Sequence, residues 1–118
     1  MIVGDWRLCQ FGDEDPESLP AEEDQRPTLV IDEEAKVSGF AGVNRYGGSL
    51  SAKAVAEGVF LLGPVVATRM AGPREAMDLE TRFLRMLSEA SSFRVIDDDL
   101  VLEAEGESLL RFTRTGAD

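Results

Sequence analysis

The sequence predicts a mainly β fold of the α+β class: a small antiparallel β-barrel with one amphipathic α-helix over about residues 73–92. Three observations point there. Short apolar segments, bounded by Gly, Pro, Asn or Asp, fill both halves of the chain. One stretch carries apolar residues at spacings of three and four, the period of a helix face. A lone helix cannot cover two faces of an open sheet, so closing the sheet is the economical way to remove exposed edges.

The elements follow in order. Within residues 2–11, Trp6 and Leu8 share a parity and can point inward from one strand, while Cys9 follows Arg7. Residues 13–24 form an acidic stretch interrupted by Pro16 and Pro20, which reads as an exposed loop. Residues 28–32 and 36–40 read as paired strands across a turn at residues 32–35. Gly39, Gly42, Gly47 and Gly48 then mark bends or close approaches, as at a barrel corner. Residues 49–55 and 59–62 read as further strands. The helix opens at Pro73, which suits a first helical position. Glu75, Asp78 and Glu80 lie near its start, where the helix dipole favours anions. Ala76, Leu79, Phe83, Leu87 and Ala90 form its stripe, broadened by Met77, Leu84 and Met86. Residues 93–96, 100–103 and 108–113 close the chain as a meander, with turns at 97–99 and 105–107. No linker or repeat divides it, so residues 1–118 read as one domain.

Composition excludes several function classes. With 23 acids against 12 bases the net charge is -11. Such a surface repels phosphate backbones, which excludes nucleic acid as a partner. The longest apolar run, residues 59–67, is broken by Gly63 and Pro64, so no membrane span is expected. The absence of histidine removes the commonest general base and a common metal ligand. The single Cys9 allows no internal disulfide. With no basic-then-apolar leader at the start, a soluble protein in a reduced, cytoplasmic setting is expected; an exported protein whose leader has been removed is the alternative.

Three segments together carry a family resemblance. Val37-Ser38-Gly39-Phe40-Ala41-Gly42-Val43-Asn44-Arg45-Tyr46-Gly47-Gly48-Ser49 matches an "SGxxGCNRxxGxY"-like stretch. Ala67-Thr68-Arg69-Met70-Ala71-Gly72-Pro73 matches an "xTxMAC" stretch ahead of a helix. The helix through Leu87 and the strands ending at Phe112 follow in the right order, and Trp6 with Leu8 fits the opening strand. In these segments the chain resembles the META/HslJ family over nearly its whole length. The resemblance implies a barrel of lipocalin-like topology with a helix, and no general enzymatic activity or cofactor. Members are often exported or lipoprotein-like bacterial proteins, some linked to heat or antibiotic stress. Val43 and Gly72 depart from the pattern, standing where many members have cysteine. The disulfide implied there is absent, which argues against an oxidising compartment.

The candidate site residues are Asn44, Arg45, Thr68 and Arg69, which fall in the two motif segments. One reading makes them a polar rim or ligand contact at a barrel end. The other makes them structural, with Asn44 in a left-handed turn and the arginines paired to carboxylates. Asp13, Asp15 and Glu17 have calcium-like spacing, but Ser18 and Asp24 stand where an EF-hand loop needs Gly and Glu, so they read as a solvated loop. Asp97, Asp98 and Asp99 read as an exposed turn rather than a catalytic pair. Cys9, Ser49 and Thr68 lack an activating base. No catalytic residue, metal or cofactor is expected. The chain reads as a non-enzymatic binding or accessory domain, a monomer or weak homo-oligomer, whose partner is a protein surface or a small apolar ligand. The alternatives are a carboxylate-dependent enzyme and an assembly module acting through an exposed sheet edge.

Overall fold

The computed structural model describes residues 2–12, 14, 19, 20, 22 and 25–115. The calcium-loop reading at Asp13, Asp15 and Glu17 lies outside the described residues. The elements are β1 (Gly4–Phe11), β2 (Thr28–Ile31), β3 (Lys36–Phe40), β4 (Arg45–Ser49), α1 (Ala52–Ala56), β5 (Val66–Ala67), α2 (Arg74–Glu89), β6 (Ser92–Ile96), β7 (Asp99–Ala104) and β8 (Glu107–Arg114). The eight strands form one antiparallel sheet in the order β5-β4-β3-β2-β1-β8-β7-β6. The mainly β class is therefore as the sequence reads.

Successive strands pair with each other, and β1 pairs with β8; β5 and β6 do not pair. The sheet is thus not closed into the barrel expected from the sequence. The cause is local. Pro64 has no N–H to give a ladder, and β5 is only two residues long. Past Ala67 the chain leaves the sheet, because the Asn44 side chain binds both backbone groups of Met70. On the opposite edge, β6 meets residues 59–60 through an isolated bridge between Val59 and Ser92 and a bond from Phe60 N–H to the Ser91 carbonyl.

Two further readings are corrected. Residues 49–55 do not continue as a strand. β4 stops at Ser49, and the Ser51 hydroxyl accepts the Ala54 N–H at 3.1 Å, capping α1. The alanines at 52, 54 and 56 favour helix over strand, so the fold has two helices among the described residues rather than one. Residues 59–62 make only isolated bridges, at Val59 and Leu62. Replacing Ser51 by Ala removes the cap and is expected to cost about 1 kcal/mol, read as a lowered urea midpoint.

The core joins the inner faces of the strands to α2. Trp6, Leu8, Leu29, Leu100, Leu102, Leu110 and Phe112 are fully buried with Phe83 and Leu87 of the helix. The Phe83 ring meets Tyr46 and Phe112 edge-on, at centroid distances of 5.8 and 6.1 Å. Strand parity alone would turn Phe11 outward from Trp6 and Leu8. The pairing of β1 with β8 shifts register between Leu8 and Gln10, so Cys9 is the extra residue of a bulge and Phe11 is buried. Asp97 and Asp98 both have positive φ and make the tight, exposed turn between β6 and β7, whereas Asp99, expected in that turn, is the half-buried first residue of β7 and pairs with Arg111 at 2.8 Å. No helix among the described residues is long and apolar enough to cross a membrane.

Candidate functional site

The site is built where the loop between β3 and β4 lies against α2. The Ala41 N–H donates to the Asn44 carbonyl at 2.8 Å, which closes the loop. Gly42 has φ 136°, and a Cβ there would sit 3.0 Å from the Ala76 carbonyl oxygen and 3.2 Å from the Glu80 Cβ. Glycine is thus required both for the backbone conformation and for close approach to the helix. Asn44 itself is not left-handed; the positive φ belongs to Gly42.

This approach aims two successive backbone N–H groups at the Glu80 carboxylate. Val43 and Asn44 donate to Oε1 at 3.0 and 2.6 Å, and Asn44 Nδ2 donates to Oε2 at 2.8 Å. The Asn44 amide is then used completely. Its Nδ2 also donates to the Met70 carbonyl at 3.1 Å. Its Oδ1 accepts the Met70 N–H at 2.7 Å and the Thr68 hydroxyl at 2.9 Å. Thr68 Oγ1 in turn accepts the Arg45 N–H at 3.2 Å. Asn44 is 2% exposed and Glu80 7%. Burial pushes the Glu80 carboxyl upward, but the bonds from Asn44 and Val43 outweigh it and hold it below its ordinary value near 4.5. A carboxylate held ionised with its oxygens occupied can anchor a loop; it is poorly placed to take or give a proton.

Asn44, Thr68 and Glu80 line a cleft of about 550 Å³. Its apolar walls come from Val65, Ala67, Met77 and Leu84, with Met70 and Arg69 also lining it. The sequence candidates therefore divide. Asn44 and Thr68 meet directly, and Arg69 joins them at the cleft. Arg45 does not: its neighbour Tyr46 faces the core, so Arg45 points to the opposite side of β4 and is exposed. Neither Arg45 nor Arg69 has an ion pair to a carboxylate among the described residues, so the expected pairing is not found. A larger concavity of about 580 Å³ borders the start of α2, but its polar lining is the exposed Glu22, Gln25 and Glu75, and it holds none of the candidate residues.

Glu80 is the residue sequence reasoning missed. Its place near the helix start reads as a dipole contribution, yet it stands three and seven positions before Phe83 and Leu87, inside the apolar stripe. An acid at a core-facing helical position was the available signal. Elsewhere, burial first and then Asp99 raise the Cys9 thiol, which opposes thiolate chemistry. Among the described residues no group of three Asp, Glu or Cys could hold a metal ion.

The META domain family model matches residues 1–116, a span that contains the Gly42–Asn44 loop, Thr68 and Glu80. The chain belongs to the META domain family. This META domain is similar to a protein from Burkholderia xenovorans solved by NMR. Identity is 25% and the TM-score 0.76, over 97% of this chain and 83% of that one. It is also similar to a DUF4847 family protein from Bacteroides vulgatus. There the TM-score is 0.64 at 13% identity, over 98% of this chain and 95% of the other, a likeness of fold. No curated protein matches it. The META domain's two departures from the cysteine pattern prove to be neighbours. A Cβ built on Gly72 lies 2.8 Å from Val43 Cγ2 and 3.5 Å from Val43 Cβ. Valine fills the space a second side chain would occupy.

Proposed function

We propose that this META domain is a non-enzymatic binding domain that takes an apolar ligand in the cleft between residues 65–71 and α2. The observation that carries this reading is the division of labour in the cleft lining. The polar groups at Asn44, Thr68 and Glu80 are bonded to one another or to backbone, while Val65, Ala67, Met70, Met77 and Leu84 leave apolar surface. Binding sites are commonly concave and mostly apolar, with a few fixed polar groups. A carboxylate enzyme would need a second acid in a different environment and one group with a raised pKa. The buried acid here has no carboxylate partner among the described residues, and its pKa is lowered.

A titration of 15N-labelled protein with 1-decanol tests the reading. Saturable shifts are expected at Ala67, Met70, Met77 and Leu84. The half-buried Leu84 replaced by Lys places a charge in the apolar wall and is expected to weaken binding at least about tenfold. Shifts that fail to saturate, or that scatter over the sheet, would remove the cleft from consideration.

A further inference from the structure

Resting on the cleft reading above, we infer that the ligand is an amphipathic anion: an apolar chain carrying a carboxylate-like head group, which Arg69 binds at the cleft mouth. Two independent features of the molecule lead there. The first is the distribution of acids. From Gly58 through Arg74 the chain has no Asp or Glu, although it holds 23 acids in all. The same stretch contains Val59, Leu61, Val66 and Met70, four of the five large apolar residues that are exposed among the described residues. The residues of this stretch that line the cleft, Val65 and Ala67 to Ala71, thus form a wall without an acid, from which Met70 presents exposed apolar surface.

The second feature is which charge in the cleft remains uncommitted. Two formal charges line it, Glu80 and Arg69. The Glu80 oxygens face Val43 and Asn44, whose three N–H bonds occupy the carboxylate and hold it in place. Arg69 is exposed and has no carboxylate partner among the described residues. A guanidinium presents a planar fork of donors that matches a carboxylate with two parallel bonds. The net charge of -11 opposes an anion at long range, but salt screens such interactions beyond about 8–10 Å. Contact with Arg69 therefore decides the preference. The head group sits at the mouth and the chain lies along Val65, Met77 and Leu84, which keeps the anion away from Glu80.

The test compares three probes of equal chain length at pH 7.5, each below its micelle-forming concentration: decanoate, 1-decanol and decylamine. Calorimetry or the 15N shifts report their affinities. Decanoate is expected to bind about three- to tenfold more tightly than decanol, with decylamine weakest. Arg69→Ala should erase the advantage of decanoate and leave decanol unchanged, and Arg69→Glu should make decylamine the better ligand. Arg74→Ala, which removes an exposed charge outside the cleft, should preserve the order. If all three probes bind equally and Arg69→Ala changes none of them, the head-group inference fails while the apolar cleft stands. If decanol and decanoate both fail to bind, the cleft reading itself falls.

Discussion

Replacing Glu80 by Ala is expected to destabilise the fold by about 3–5 kcal/mol. The change leaves the Val43 and Asn44 backbone donors without an acceptor and removes one partner of Asn44 Nδ2. Each buried donor left unsatisfied costs about 1–3 kcal/mol. Against a typical total of roughly 5–15 kcal/mol, this is a large share. Glu80→Gln keeps an oxygen for the two backbone donors but sets its own amide against Asn44 Nδ2, so a smaller loss is expected. Urea unfolding should rank wild type above Glu80→Gln above Glu80→Ala. The Glu80 pKa is lowered on folding, so its contribution is fully present above the unfolded value. It is lost as pH falls through the folded one. The wild-type advantage over Glu80→Gln should therefore be constant near neutral pH and shrink only below about pH 4.5. An advantage that grows on acidification would reverse the sign and refute the hydrogen-bonded carboxylate.

The opposite effect is expected from Val43→Cys with Gly72→Cys. The Cβ separation of 3.5 Å falls within the range a disulfide accepts. Gly72 does not have positive φ, so its backbone accommodates a side chain. The bridge would close a loop of about 30 residues, for which the chain-entropy relation gives about 3.5 kcal/mol of stabilisation. Cys9 serves as the internal control. Thiol counting on the denatured, oxidised variant should find one free thiol, and three after reduction. Reduction should return the stability to or below that of wild type, because the two thiols pack less well than Val43 beside Gly72. Three free thiols after oxidation would mean that the two motif segments are not apposed.

Much of the fold was legible because its signals are local. Leu100 and Leu102 share a parity, as do Leu110 and Phe112, and all four are fully buried. The α2 stripe at Phe83 and Leu87 likewise sits in the core. What parity could not show was the bulge at Cys9, since an extra residue depends on the pairing with β8, a strand roughly a hundred positions away. The short helix at residues 52–56 was hidden by apolar Leu50 just before it and β-branched Val55 within it, and Ser51 was its one marker. Barrel closure was inferred from the need to remove edges. The structure instead ends the ladder where Asn44 draws Met70 out of the sheet, a tertiary contact with no sequence signature. The site was half legible. Asn44 and Thr68 were singled out by their motifs, but the motifs give no hint that Glu80, on a separate element, completes them.

A 13C-detected titration of the Glu80 side-chain carboxyl tests this arrangement most directly. The bonded, ionised anchor requires a midpoint below the ordinary value near 4.5, with no second titrating carboxyl coupled to it. A midpoint raised above 4.5 would mean a desolvated, proton-holding acid, and would contradict both the structural anchor and the non-enzymatic reading built on it.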